Sequence, residues 1–217
     1  MTGEIDWFAS EAGQSLVAKS MQQAKPWVWP LCGHNALVLQ PNRQTIVQPA
    51  LQCAPVLSIA RHNEFFVGDF IARDKNLPLA SDCVALVYAA FVLETSATPA
   101  LLLAEFERLL VSEGHLALLS LNPYCPFRML GRWKNFDLKS QAFWAQYLHH
   151  AGLELVQHQA LGPLWASVAK ESSSGFSYRP KSLRSVNFIL AKKRKATVTP
   201  IRKSSHVVAL ARETLQQ

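Results

Sequence analysis

The chain has 217 residues, 49% of them hydrophobic, with 22 Lys and Arg against 15 Asp and Glu. A domain of that length buries a sizeable core, which excludes fibrous, collagen-like and wholly disordered chains. The net charge of +7 is uneven: residues 192–217 hold seven basic residues against Glu213 alone, while residues 1–191 are almost neutral. The expectation is a folded body over residues 1–191 and a basic, disordered tail over residues 192–217. Cys32, Cys53, Cys83 and Cys125 are widely spaced with no C-x-x-C, and the start MTGEIDWFAS lacks the basic and apolar regions of a secretion signal. That pattern points to free, mostly buried thiols in a cytoplasmic protein. The longest apolar runs are about half of what a membrane-crossing helix needs.

Taken in chain order, residues 11–21 read as a helix, and residues 36–40 (ALVLQ) as a short apolar strand ending at Pro41. Residues 41–61 are polar, punctuated by Pro and only weakly periodic. Residues 83–90 (CVALVYAA) have no polar face, as in a strand covered on both sides. From Pro99, Leu102, Leu103, Phe106, Leu109 and Leu110 share one helical face, with Glu105, Arg108 and Ser112 opposite and Gly114 as the stop. Residues 115–121 read as a strand, 140–151 as a second amphipathic helix closed by Gly152, 153–159 as a strand and 185–191 as the last. Alternating strands and helices predict a parallel α/β sheet, and the loop-joined final pair predicts an antiparallel ending.

Residues 77–123 carry a run of motifs in a fixed order: a Leu77-Pro78-Leu79 turn, the strand to Ala90, Leu93-Glu94, Pro99, Glu105 through Arg108 to Leu109, Gly114, and the strand to Leu121. This run resembles the second half of the class I S-adenosylmethionine-dependent methyltransferases of the type 11 kind. The resemblance implies a three-layer, Rossmann-like methyltransferase sheet, mostly parallel with an antiparallel C-terminal strand. It implies an enzyme that uses S-adenosyl-L-methionine on an unknown methyl acceptor or protein partner.

In that family the first strand ends in an acidic residue and G-x-G-x-G, because only Gly lets backbone amides come close to the cofactor. Here residues 36–43 read ALVLQPNR, without glycine, and Gly33 precedes the expected strand. The acidic residue that accepts the ribose hydroxyls has only the distant Glu64 as a counterpart. In the adenine motif Asp-x-x-x-Leu-Pro the matching position is Arg73, and Asp74 serves after a one-residue shift. Ala85 replaces the usual strand Asp, and Phe91 replaces the His before Leu-Glu. The resemblance thus places the cofactor against Gln40, Pro41, Asn42, Asp74, Tyr88 and Phe91, and the acceptor near Asn122, Tyr124 and Arg128. The competing expectation is a protein that kept the fold, lost the cofactor and acts through a partner.

Other constellations carry less chemistry. His149 and His150 are adjacent on a helix and point about 100° apart, which is wrong for joint metal ligation, so no metal is expected. Asn122-Pro123-Tyr124 lacks the second Pro of the N-P-P-Y motif and follows a later strand. Trp27 and Trp29 read as core or interface anchors. The absence of G-x-S-x-G and of a phosphate loop removes hydrolase and triphosphatase readings. The tail has charge but no aromatic residue, which leaves nonspecific contact with nucleic acid or anionic surfaces, or a solvated tail with no partner, as its expectations.

Overall fold

The computed structural model describes residues 7–43, 51–128, 133, 136, 138–163 and 183–194. The first long helix, α1 (Glu11–Val28), starts where the Ser10 hydroxyl accepts the Gly13 N–H, with Glu11 in the first turn and Lys25 in the last. It continues past residue 21 because Ala24 and Val28 prolong the buried stripe of Leu16, Val17 and Met21. Strand β1 (Cys32–Gln40) begins four residues earlier than its apolar run suggests. Gly33 therefore lies inside the strand, where a Cβ would sit 2.4 Å from the Ala85 Cβ. Only glycine fits there.

The weakly periodic stretch holds β2 (Gln52–His62), followed by the short β3 (Phe65–Gly68) and β4 (Ile71–Arg73). Burial in β2 is concentrated in its last third, Ile59 to Arg61, so most of its length carries no alternation. Next come β5 (Val84–Ala90), α2 (Pro99–Leu109) and β6 (Leu110–Leu121). Helix α2 stops at Leu109 rather than Gly114, because Leu110 already pairs with Val84 and the register shift before Leu86 absorbs the residues up to Gly114. A 3₁₀ turn (Pro126–Arg128), α3 (Gln141–His150), β7 (Leu153–Leu161) and β8 (Val186–Lys193) complete the described chain.

The eight strands form one sheet in the order β4-β3-β2-β1-β5-β6-β8-β7. β1 pairs in parallel with both β2 and β5, β5 is parallel to β6, and β8 runs antiparallel between β6 and β7. The parallel centre and antiparallel C-terminal strand are as expected; the antiparallel β3–β4 hairpin at the other edge is not in the sequence reading. Successive residues of β1 alternate between two cores. Ala36 and Val38 join Leu16, Val17, Tyr88 and Phe188 beneath α1, whereas Leu37 and Leu39 join Phe106, Trp144 and Leu148 beneath α2 and α3. The result is three layers, helix on sheet on helices.

Strand β8 runs two residues past the expected end of the body. Lys193 is buried, its Nζ held by Asp82 and Glu107 at 3.0 Å each and by the carbonyls of Glu107 and Leu110. Lys192 pairs with Glu113 and Arg194 with Glu154. Three cations assigned by sequence to the tail thus neutralise acids of the body. Residues 195–217 lie outside the described residues.

The motifs at 77–79 and 105–108 form one clamp. The Leu77 N–H donates to Glu105 Oε2 at 2.9 Å, and the Arg108 guanidinium donates to Glu105, to the Leu77 and Leu79 carbonyls and to the Ser81 hydroxyl. The hydrogen bond and charge of Arg108 hold the Glu105 carboxyl below its usual range. Arg108→Ala is expected to lower stability by about 1–2 kcal/mol in urea denaturation; Arg108→Lys, which keeps the charge without the fork, recovers less than half of that loss.

Candidate functional site

In an open α/β sheet, ligands lie outside the carboxyl ends of the strands where the strand order reverses. Here that point is between β1, which leads outward to β2, and β5, which continues the other way. The residues delivered to it are Gln40, Pro41 and Asn42 from β1, Arg61 from β2, and Phe91 to Ser96 after β5. Gln40 and Asn42 are buried side chains at positions where a glycine loop would leave space.

On the α2 side of this edge the site is polar. Arg61 is 2% exposed and donates through Nη1 to Asp74 Oδ1 at 2.5 Å. The Ser96 hydroxyl donates to the other Asp74 oxygen, so Asp74 ties β2, the segment after β4 and the loop before α2 together. The guanidinium lies over the Phe66 ring, 4.0 Å from its centroid, which is expected for cross-strand partners on one face. Nε and Nη2 of Arg61 are buried and have no hydrogen-bond partner among the described residues. Glu64 is exposed in the β2–β3 turn and takes no part.

On the α1 side the edge is aromatic. Phe91 is fully buried with a positive φ of 53° and packs on Phe8 at 5.5 Å. Phe136 meets Phe8 at 5.7 Å, and Trp133 meets Trp7 at 5.6 Å. Tyr88 lies inside β5 opposite Val38, and burial pushes its phenol far above the usual range. Of the six residues assigned to the cofactor, Gln40, Pro41, Asn42 and Phe91 lie at the ends of β1 and β5. Asp74 sits across from them beside β2, and Tyr88 sits deeper in the sheet.

The residues assigned to the acceptor divide. Asn122 and Tyr124 line a cavity of about 400 Å³ with Gln141, His158, Gln159, Ala160 and Asn187. The Asn122 amide is committed to its turn: Nδ2 donates to the Arg184 carbonyl and Oδ1 accepts the Tyr124 N–H. Arg128 is exposed on the 3₁₀ turn and is not among the cavity's lining residues. Arg61 and the polar cavity wall from β7 and β8 were invisible to motif matching. An Arg at the end of a weakly patterned strand gives no signal until that strand is placed beside β1. No group of three His, Cys, Asp or Glu that would hold a metal occurs among the described residues. None of the described helices is long and apolar enough to cross a membrane.

No family model matches the chain, and no curated protein matches its sequence. Solved structures do match its fold. One is the candidate methyltransferase in a complex with the Haloferax volcanii Trm112 methyltransferase activator. It is 13% identical, with a TM-score of 0.59 over 89% of this chain and 97% of that one. A SAM dependent methyltransferase from Aquifex aeolicus is 11% identical, with a TM-score of 0.58 over 88% and 98% of the two chains. The chain has the class I methyltransferase fold. The [4+2]-cyclase SpnF is also similar, at 11% identity and a TM-score of 0.54 over 81% of each chain, so the fold does not by itself fix the reaction.

Glu94, from the Leu-Glu motif, is the titratable group most altered at this edge. Its Oε1 accepts the Leu121 N–H at 2.6 Å, and burial pushes its pKa up to about 7. A raised carboxyl pKa in the folded state means that stability is full below the ordinary carboxylate range and falls as pH rises through about 7. Glu94→Gln keeps an acceptor for Leu121 and removes the ionisation. Denaturation curves are expected to show the variant gaining on the parent by roughly 3 kcal/mol between pH 5 and pH 8.

Proposed function

We propose that the chain is an S-adenosylmethionine-dependent methyltransferase, type 11-like, that holds its cofactor at the ends of β1, β2 and β5 through altered contacts. The observation that carries this reading is the set of buried donors on Arg61, next to Asp74, at the switch point. In the family the nucleoside end meets an acidic residue after the second strand; here Arg61 donors suit the oxygen atoms of ribose hydroxyls, which accept as well as donate. Asp74 keeps lone pairs for an adenine amino group, since each carboxylate oxygen accepts more than one bond. The nucleoside end therefore fits.

At the methionine end the glycine loop is replaced, and the Gln40 and Asn42 amides would take over from backbone N–H groups. When bound, the cofactor supplies an electrophilic methyl group for a single in-line displacement. The protein's part is to orient the acceptor and exclude water, which the aromatic cover from Phe8, Phe91 and Phe136 would do. The methyl acceptor is unknown.

The same aromatic cover favours a second reading, a fold that has lost the cofactor and works through a protein partner. Calorimetric titration with S-adenosylmethionine and S-adenosylhomocysteine separates the two. The first reading expects binding of either ligand, weakened about tenfold or more by Asp74→Asn, the loss of about one charge-assisted hydrogen bond. A folded parent that binds neither at millimolar concentration removes it and leaves the second.

A further inference from the structure

The cavity behind Asn122 and Tyr124 is a site in its own right. It opens at the ends of β6, β8 and β7, about two strand spacings or 10 Å from β5, and no charged side chain is among its lining residues. Asn187 on β8 stands opposite Ala160, and Ile189 stands opposite His158, so Asn187 and His158 are diagonal neighbours on one face. They face each other across the wall, and His158 Nε2 and Asn187 Nδ2 have no hydrogen-bond partner among the described residues. Asn187 Oδ1 is then the amide atom left to accept an N–H from the His158 ring, which puts that hydrogen on Nδ1. In that tautomer Nε2 carries a lone pair, and Asn187 Nδ2 has hydrogens to donate.

Burial holds the His158 pKa below its usual value, so the ring is uncharged at neutral pH. Ser120, opposite Asn187 on β6, has a buried hydroxyl without a hydrogen-bond partner among the described residues. Buried polar atoms left unpaired are costly, so this wall is complementary to a guest that pairs them. The volume of about 400 Å³ lies in the range of small-molecule pockets. Tyr124, 68% exposed on the rim, offers a ring face to a planar guest.

We propose that this cavity binds a small uncharged molecule with an amide edge, a lactam ring or a primary carboxamide, whose carbonyl accepts from Asn187 Nδ2 and whose N–H donates to His158 Nε2. Gln141 and Gln159 supply further amide contacts at the wall. The site is independent of the switch point and stands whether or not that edge takes a cofactor.

The test uses the full chain and matched probes: nicotinamide, uracil and hypoxanthine against pyridine, pyrimidine and purine, which lack the amide. Saturation-transfer NMR and the His158 Nε2 nitrogen shift are the readouts. Expected are binding of at least one amide probe, a preference of about tenfold or more over its partner, and a shift of Nε2 with Nδ1 still protonated. His158→Phe and Asn187→Ala, each with a cooperative thermal transition, are expected to abolish the preference. Equal binding of both sets, no binding of any amide probe at about 10 mM to the folded parent, or an unmoved Nε2 signal would overturn the proposal. The nitrogen measurement on the parent decides the matter if a variant does not fold.

Discussion

A guanidinium buried at the end of a parallel strand has to be held by the elements around it, and Arg61 is held by Asp74 and the Phe66 face. Removing one partner of such a pair leaves a buried charge uncompensated, at a cost of several kcal/mol. This pair therefore fixes how the β3–β4 hairpin and the loop before α2 meet β2. It stands at the carboxyl end of β2, beside the switch point, and it leaves two donors over. What the carboxyl edge can recognise follows from that polarity: hydroxyl, carbonyl or anionic oxygen rather than a group that only donates.

The motifs that carry the family resemblance act as ties. Glu105 and Arg108 clamp the Leu77–Leu79 turn against α2, and Glu94 caps the buried end of β6 through the Leu121 N–H. Ala85, where the resemblance leads to an expectation of Asp, packs against Gly33, which has no room for a side chain. These residues hold the strands in register, which explains why residues 77–123 predict the architecture.

The sheet's centre was legible because β5 and β6 are buried on both faces and α2 has a clean apolar stripe. β2 was not, since its first two thirds are mostly exposed apart from Cys53, and the run of buried residues is confined to Ile59 to Arg61. The ends of α2 and β8 were misplaced for a different reason: Leu110 and Lys193 are set by pairing partners in other strands, Val84 and Leu153, which no local signal reveals. The same limit hid Arg61, His158 and Asn187 as site residues, because each acquires its role only from a neighbour far along the chain. The charge is also reapportioned. With Lys192, Lys193 and Arg194 paired to body acids, residues 195–217 hold four basic residues against Glu213.

On the proposed reading, a nucleoside-bearing ligand meets Arg61 and Asp74 at the carboxyl ends of β1, β2 and β5. Hydrogen–deuterium exchange with and without S-adenosylhomocysteine tests this most directly. Slowed exchange confined to residues 40–42, 58–62 and 89–96 is the predicted result. Unchanged exchange there, or protection only around β7 and β8, would contradict it.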